Sequence, residues 1–109
     1  MPTRDTTAIL TPRDLDDAHD EVWRSMGPDD TPMCSTYRLG KQRAATIARE
    51  ELAGCCDTAI SYQRIHKAIT EVVKTASDAD SPDHAAGVVD GAHHFEASLT
   101  TRLNLDRHE

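Results

Sequence analysis

The residues best suited to chemistry lie near the C-terminal end. His84, His93 and His94 stand close together there, with Asp90 and Glu96 among them. On a helix Asp90 reaches His93 three residues on and His94 four residues on, so each pair can face one cation. Helical bundles hold metals with inward carboxylates and imidazoles, but the two-metal version uses paired Glu-x-x-His motifs. Here the order is reversed, His93 preceding Glu96. Cys34, Cys55, Cys56 and His66 are further ligand types, yet no CxxC or HxxxH spacing anchors them. These imidazoles therefore read as surface groups beside acids, and neither a metal nor a cofactor is expected.

Nucleophilic catalysis has little to work with. Cys55 and Cys56 follow the expected end of a helix, whose negative pole raises a thiol pKa. A helix beginning at Asp57 would partly reverse that effect. Adjacent cysteines rarely bridge each other, and with no secretion signal a reducing cytoplasm with free thiols is the expectation. No phosphate loop, nucleophile elbow or zinc-protease motif occurs. The chain is read as non-enzymatic.

Binding chemistry is better represented. Residues 1–33 carry 3 basic and 8 acidic side chains, residues 34–74 carry 7 and 4, and residues 75–109 carry 2 and 7. A basic middle between acidic ends suits either folding of the ends over the middle or local contact with nucleic acid. In the second case the 38–74 segment forms a helix-turn-helix. Ser61, Gln63, Arg64 and Lys67 would face the major groove, and Lys41 and Arg43 the phosphates. Against it, Glu50 and Gln63 fall where that motif wants a small and an apolar residue.

The rival reading, and the one adopted, is a protein-interaction or assembly module: an adaptor, inhibitor or structural subunit. Gly87 and Gly91 lie four apart on one helix face, where glycine costs about 1 kcal/mol against alanine. Close approach of another helix, in the same chain or across a dimer, would account for both. Phe95 continues that face, and Ile9 and Leu10 offer an apolar N-terminal arm for a core or a neighbour. The acidic row Asp14, Asp16, Asp17, Asp20 and Glu21 could imitate phosphates, or be the solvated side of an amphipathic helix.

The elements that must position these groups are helical. Thr11-Pro12-Arg13-Asp14 and Ser81-Pro82-Asp83 each read as cap, first-turn proline and acid. Apolar or semi-apolar residues at Leu15, Ala18, His19, Val22, Trp23 and Met26 read as one buried stripe, and Gly27-Pro28 ends it. Similar stripes run through Ala44, Ile47, Ala48 and Leu52, through Tyr62, Ile65, Ile69, Val72, Val73 and Ala76, and through Ala85, Val88, Ala92, Phe95, Leu99 and Leu103. The expected fold is all-α: helices over about 12–26, 38–53, 58–77 and 82–103. They form a small bundle, or a three-helix unit exchanging its fourth helix in an intertwined dimer. Residues 1–10 are read as a flexible arm, 11–104 as one domain and 105–109 as a frayed tail.

The chain of 109 residues holds 18 Leu, Ile, Val and Phe against 14 alanines, with a net charge of −7. That length allows one domain. So thin a core is helped most by a partner, and a homodimer is expected. No apolar run is long enough for a transmembrane helix, so no membrane is expected among the partners.

Overall fold

The computed structural model describes residues 7–26, 35–79 and 81–105. Its elements in chain order are β1 (Thr7–Leu10), α1 (Pro12–Ser25), α2 (Ser35–Ala53), β2 (Thr58–Ser61), α3 (Tyr62–Lys74), a 3-10 turn (Thr75–Asp78) and α4 (Pro82–Leu103). The fold is an all-α bundle carrying one two-stranded ribbon. No helix among the described residues is long and apolar enough to cross a membrane.

The capping signatures do what their chemistry requires. Thr11 Oγ1 accepts the Asp14 amide at 3.2 Å while the Asp14 carboxylate accepts the Thr11 amide at 3.1 Å, a reciprocal box that starts α1. Ser81 accepts the His84 amide at the head of α4. At the other end Asn104 adopts a left-handed φ of 57°, and the Leu105 amide reaches back to the Thr100 carbonyl. This αL closure stops the helix and buries Leu105. Leu105 therefore belongs to the domain rather than to a frayed tail. The Gly27-Pro28 stop expected for α1 lies outside the described residues.

Two segments differ from the helical reading. Residues 58–61, expected as the first turn of a helix, are β2, and the end of the supposed arm is its partner. The strands run antiparallel, with Thr7 opposite Ser61 and Leu10 opposite Thr58. Leu10 and Ile60 point into the core, and Thr7, Ile9 and Ala59 point outward. The turn before β2 is set by Asp57 at φ 66°, whose amide donates to the Leu10 carbonyl. Thus Leu10 docks on its own chain. The helix after β2 ends at Lys74, and a 3-10 turn takes up the remainder.

The centre of the fold is the contact of α2 with α4. A Cβ on Gly40 would lie 2.3 Å from the His84 carbonyl oxygen, one on Gly87 2.1 Å from that of Tyr37, and one on Gly91 2.7 Å from that of Lys41. Such distances leave no room for a side chain. The two backbones touch, and Ala44, Ala45, Ala48 and Ala92 are buried in the cluster around them. The small-residue seam is therefore filled within the chain, and Phe95 is wholly buried beside it. Gly87, Gly91, Phe95 and Leu10 are thus all packed within the chain, and the helix that approaches Gly87 and Gly91 is one of the same chain, the first of the two ways expected. The helix is not broken at its glycines. Alanine is how this core compensates for few large side chains: it lets helices approach rather than filling space between them.

Candidate functional site

α4 meets each of the other three helices, and its polar side chains divide accordingly. Toward α3 it presents Glu96, whose side chain is only 2% exposed. His66 of α3 brings Nδ1 to 2.7 Å from one carboxylate oxygen, and His93, one turn earlier on α4, brings Nδ1 to 3.5 Å from the other. The Tyr62 ring stacks on His66 at 5.6 Å between centroids. Both imidazoles are about half exposed, so a buried acid is roofed by two bases at the surface. Sequence spacing gave the His93–Glu96 pair but not His66, which only the docking of α3 on α4 supplies.

Toward α1 the same helix lines a shallow groove of about 410 Å³ with His94, Ala97, Ser98, Thr101 and Arg102, facing Glu21. Arg102 reaches Glu21 at 3.3 Å and Asp17 at 3.5 Å. The Glu21 carboxyl is held below the usual carboxylate range by the Ser98 hydroxyl first, with burial opposing and Arg102 reinforcing. Ser98 Oγ is itself buried and meets no partner in strict hydrogen-bond geometry, so its approach to Glu21 is a loose one. With that oxygen closed off from solvent, the polar groups the groove presents are the ion pair, His94 and Thr101.

The grouping around Asp90 is not assembled. Asp90 accepts a hydrogen bond from the Tyr37 hydroxyl, which, with burial, pushes the phenol up to about 12. His93 turns to Glu96, and His94 to the α1 groove. Among the described residues no three His, Cys, Asp or Glu side chains converge where one metal ion could sit. Cys55 and Cys56 are free thiols in the turn after α2, and burial first, then Asp57, pushes the Cys56 thiol up. That disfavours the nucleophilic thiolate. Cys34 lies outside the described residues.

The basic segment is only partly available. Lys41 is 8% exposed, its ammonium 3.5 Å from Ser25 Oγ and 5.8 Å above the Tyr37 ring, so it is no phosphate ligand. Ser61 is the N-cap of α3 and accepts the Arg64 amide. Arg49 pairs with Asp16 at 2.7 Å. Arg43, Gln63, Arg64 and Lys67 remain exposed, and none of the ion pairs among the described residues involves them. Between α2 and α3 lies a turn followed by a strand, where a helix-turn-helix has three or four residues of turn.

Four of the acidic row are engaged, Asp14 at the cap, Asp16 with Arg49, and Asp17 and Glu21 with Arg102, while Asp20 stays 63% exposed beside His19. Among the described residues the large apolar groups left outside are Ile9 at 57%, Leu39 at 57% and Trp23 at 42% exposed. The antiparallel register of α1 on α2, with Asp16 at Arg49, His19 at Thr46 and Met26 at Arg38, places Trp23 and Leu39 toward one end of that helix pair. Comparison with known proteins returns no matching family model, no matching curated protein and no matching solved structure.

Proposed function

We propose that the chain is a non-enzymatic protein-interaction module that associates with a second copy of itself. The observation that carries this reading is the exposure of Leu39 and Trp23 on a bundle that buries every other leucine. Single exposed apolar side chains are ordinary. Two large ones at one end of a helix pair, in a chain so poor in them, are the better candidates for a contact surface. Ile9, on the outer face of the ribbon, is a second point of attachment.

Trp23 is the only tryptophan in the chain, so its fluorescence reports on that surface directly. As protein concentration rises, its emission shifts to the blue and its quenching by acrylamide falls. Leu39→Asp abolishes the shift while far-ultraviolet circular dichroism stays unchanged. Emission independent of concentration from micromolar to about 1 mM, the range of weak association, contradicts the reading.

A second reading has one observation in its favour: Gln63, Arg64 and Lys67 are exposed together along the first turns of α3. Here the helix would meet duplex DNA through those three and Arg43. Arg64→Ala and Lys67→Ala would then weaken binding and flatten its dependence on salt. Equal affinity of both variants and the parent at low salt disposes of it.

A further inference from the structure

We propose that His66 is a phosphoryl acceptor, taking the group on Nε2 from a donor that carries it on nitrogen, with Glu96 as the buried carboxylate that sets the ring for the transfer. His66 is thus a modification site and not a catalytic residue, and the inference does not depend on the interaction surface.

Glu96 calls for a reason. A carboxylate this deeply buried is costly to desolvate, and an apolar residue would tie α3 to α4 at lower cost. What the carboxylate does that an apolar residue cannot is fix an imidazole. An ionised carboxylate only accepts hydrogen bonds, so a neutral ring that meets it through Nδ1 carries its proton there. His66 Nδ1 lies 2.7 Å from Glu96 Oε2, which leaves the ring's lone pair on Nε2, at the opposite edge. The Tyr62 ring stacks on one face of the imidazole, and the His66 side chain is 52% exposed. No hydrogen bond among the described residues involves its Nε2. An imidazole oriented by a carboxylate through one nitrogen and open at the other is a nucleophile.

Of the two imidazoles on Glu96, His66 suits an anionic donor better. His93 stands off at 3.5 Å, and Asp90 precedes it by one turn on the same helix. Around His66 the stretch from Tyr62 to Thr70 holds no acid, and Arg64 and Lys67 are exposed on it, so the local field attracts phosphate oxygens. In the transfer the Nε2 lone pair attacks phosphorus and the Nε2–P bond forms. The donor's P–N bond breaks, its electron pair going to the protonated nitrogen, which departs as the free amine. The imidazole proton stays on Nδ1. The ring becomes an imidazolium, and the Glu96 carboxylate 2.7 Å away offsets the new charge. Phosphoryl transfer asks little of a protein beyond such positioning and charge stabilisation.

Potassium phosphoramidate, whose departing amine is ammonia, tests the proposal in the intact chain at neutral pH. Peptide mass spectrometry places each phosphate, and phosphorus magnetic resonance identifies the ring nitrogen that carries it. The first phosphate is expected on Nε2 of His66, ahead of His93, His84 and His94. In urea sufficient to unfold the chain that lead disappears. Glu96→Gln keeps a hydrogen-bond acceptor without its charge and slows His66 by about tenfold, the difference between a charged and a neutral hydrogen bond. His66→Gln removes the fast phase altogether. Phosphate on Nδ1 of His66, another histidine phosphorylated first, an equal His66 rate in urea, or an unchanged rate in folded Glu96→Gln overturns the proposal. The isomer and the urea comparison need no substitution, so they decide the matter even if Glu96→Gln does not fold.

Discussion

His19 shows how a single side chain couples this fold to pH. It lies between α1 and α2 with Nε2 3.3 Å from Thr46 Oγ1, and its ring packs beside Trp23. Burial first, then the Arg49 guanidinium, lowers its pKa, with Asp20 and Asp16 opposing. A histidine pKa depressed in the folded state means that the unfolded chain binds more protons as the solution is acidified. Stability contributed by neutral His19 is therefore complete above the ordinary imidazole value and is lost as pH falls below about 6.5. His19→Gln keeps a polar group for Thr46 but cannot titrate. Its urea midpoint will fall less than that of the parent between about pH 7 and pH 5. Equal slopes for the two proteins contradict this account of His19. Lys41 carries a related lesson: a basic residue in a basic stretch reads as a phosphate ligand until Ser25 and Tyr37 are found around it.

At the scale of elements, the α2–α4 seam sets the architecture. Gly87→Ala forces a methyl against the Tyr37 carbonyl, and the two helices must part to admit it. Overpacking of this kind costs about 1–3 kcal/mol, a fall in Tm of roughly 4–8 °C for each kcal/mol in a domain this small. Gly54 is the control, since nothing lies within 4 Å of a Cβ placed there. Gly54→Ala will leave Tm unchanged or raise it slightly. Similar melting of the two variants in calorimetry would mean that the seam is not as tight as described. The helices were legible because their signals are local: cap, proline and acid at Thr11 and Ser81, and stripes of period 3.6 between. The α4 limits at Pro82 and Leu103 agree with the expectation. The ribbon was not legible, because four residues such as Thr58 to Ser61 are too few to display alternation, and their partner lies some fifty residues earlier. Gly40 escaped notice for a similar reason. Gly87 and Gly91 announce each other by spacing, whereas Gly40 acquires meaning only against α4. His66 joined Glu96 in the same way, through packing that no single segment encodes.

For the whole molecule, part of the layout of charge is resolved inside it. Acids of α1 pair with Arg49 of the basic middle and with Arg102 of the C-terminal helix, so neither the acidic row nor the basic stretch is as free as its sequence implies. The expectation of a dimer from a thin core loses force too, since backbone contact at Gly40, Gly87 and Gly91 supplies packing that a count of large side chains overlooks. The proposed self-association rests instead on what the bundle leaves outside, Leu39 and Trp23 above all. Sedimentation equilibrium of the untagged chain, over a concentration series and without added metal, addresses that claim most directly. The account predicts a reversible monomer–dimer equilibrium, displaced toward monomer by Leu39→Asp. A mass of one chain at every concentration, or a dimer indifferent to Leu39→Asp and to Trp23→Asp, would contradict it.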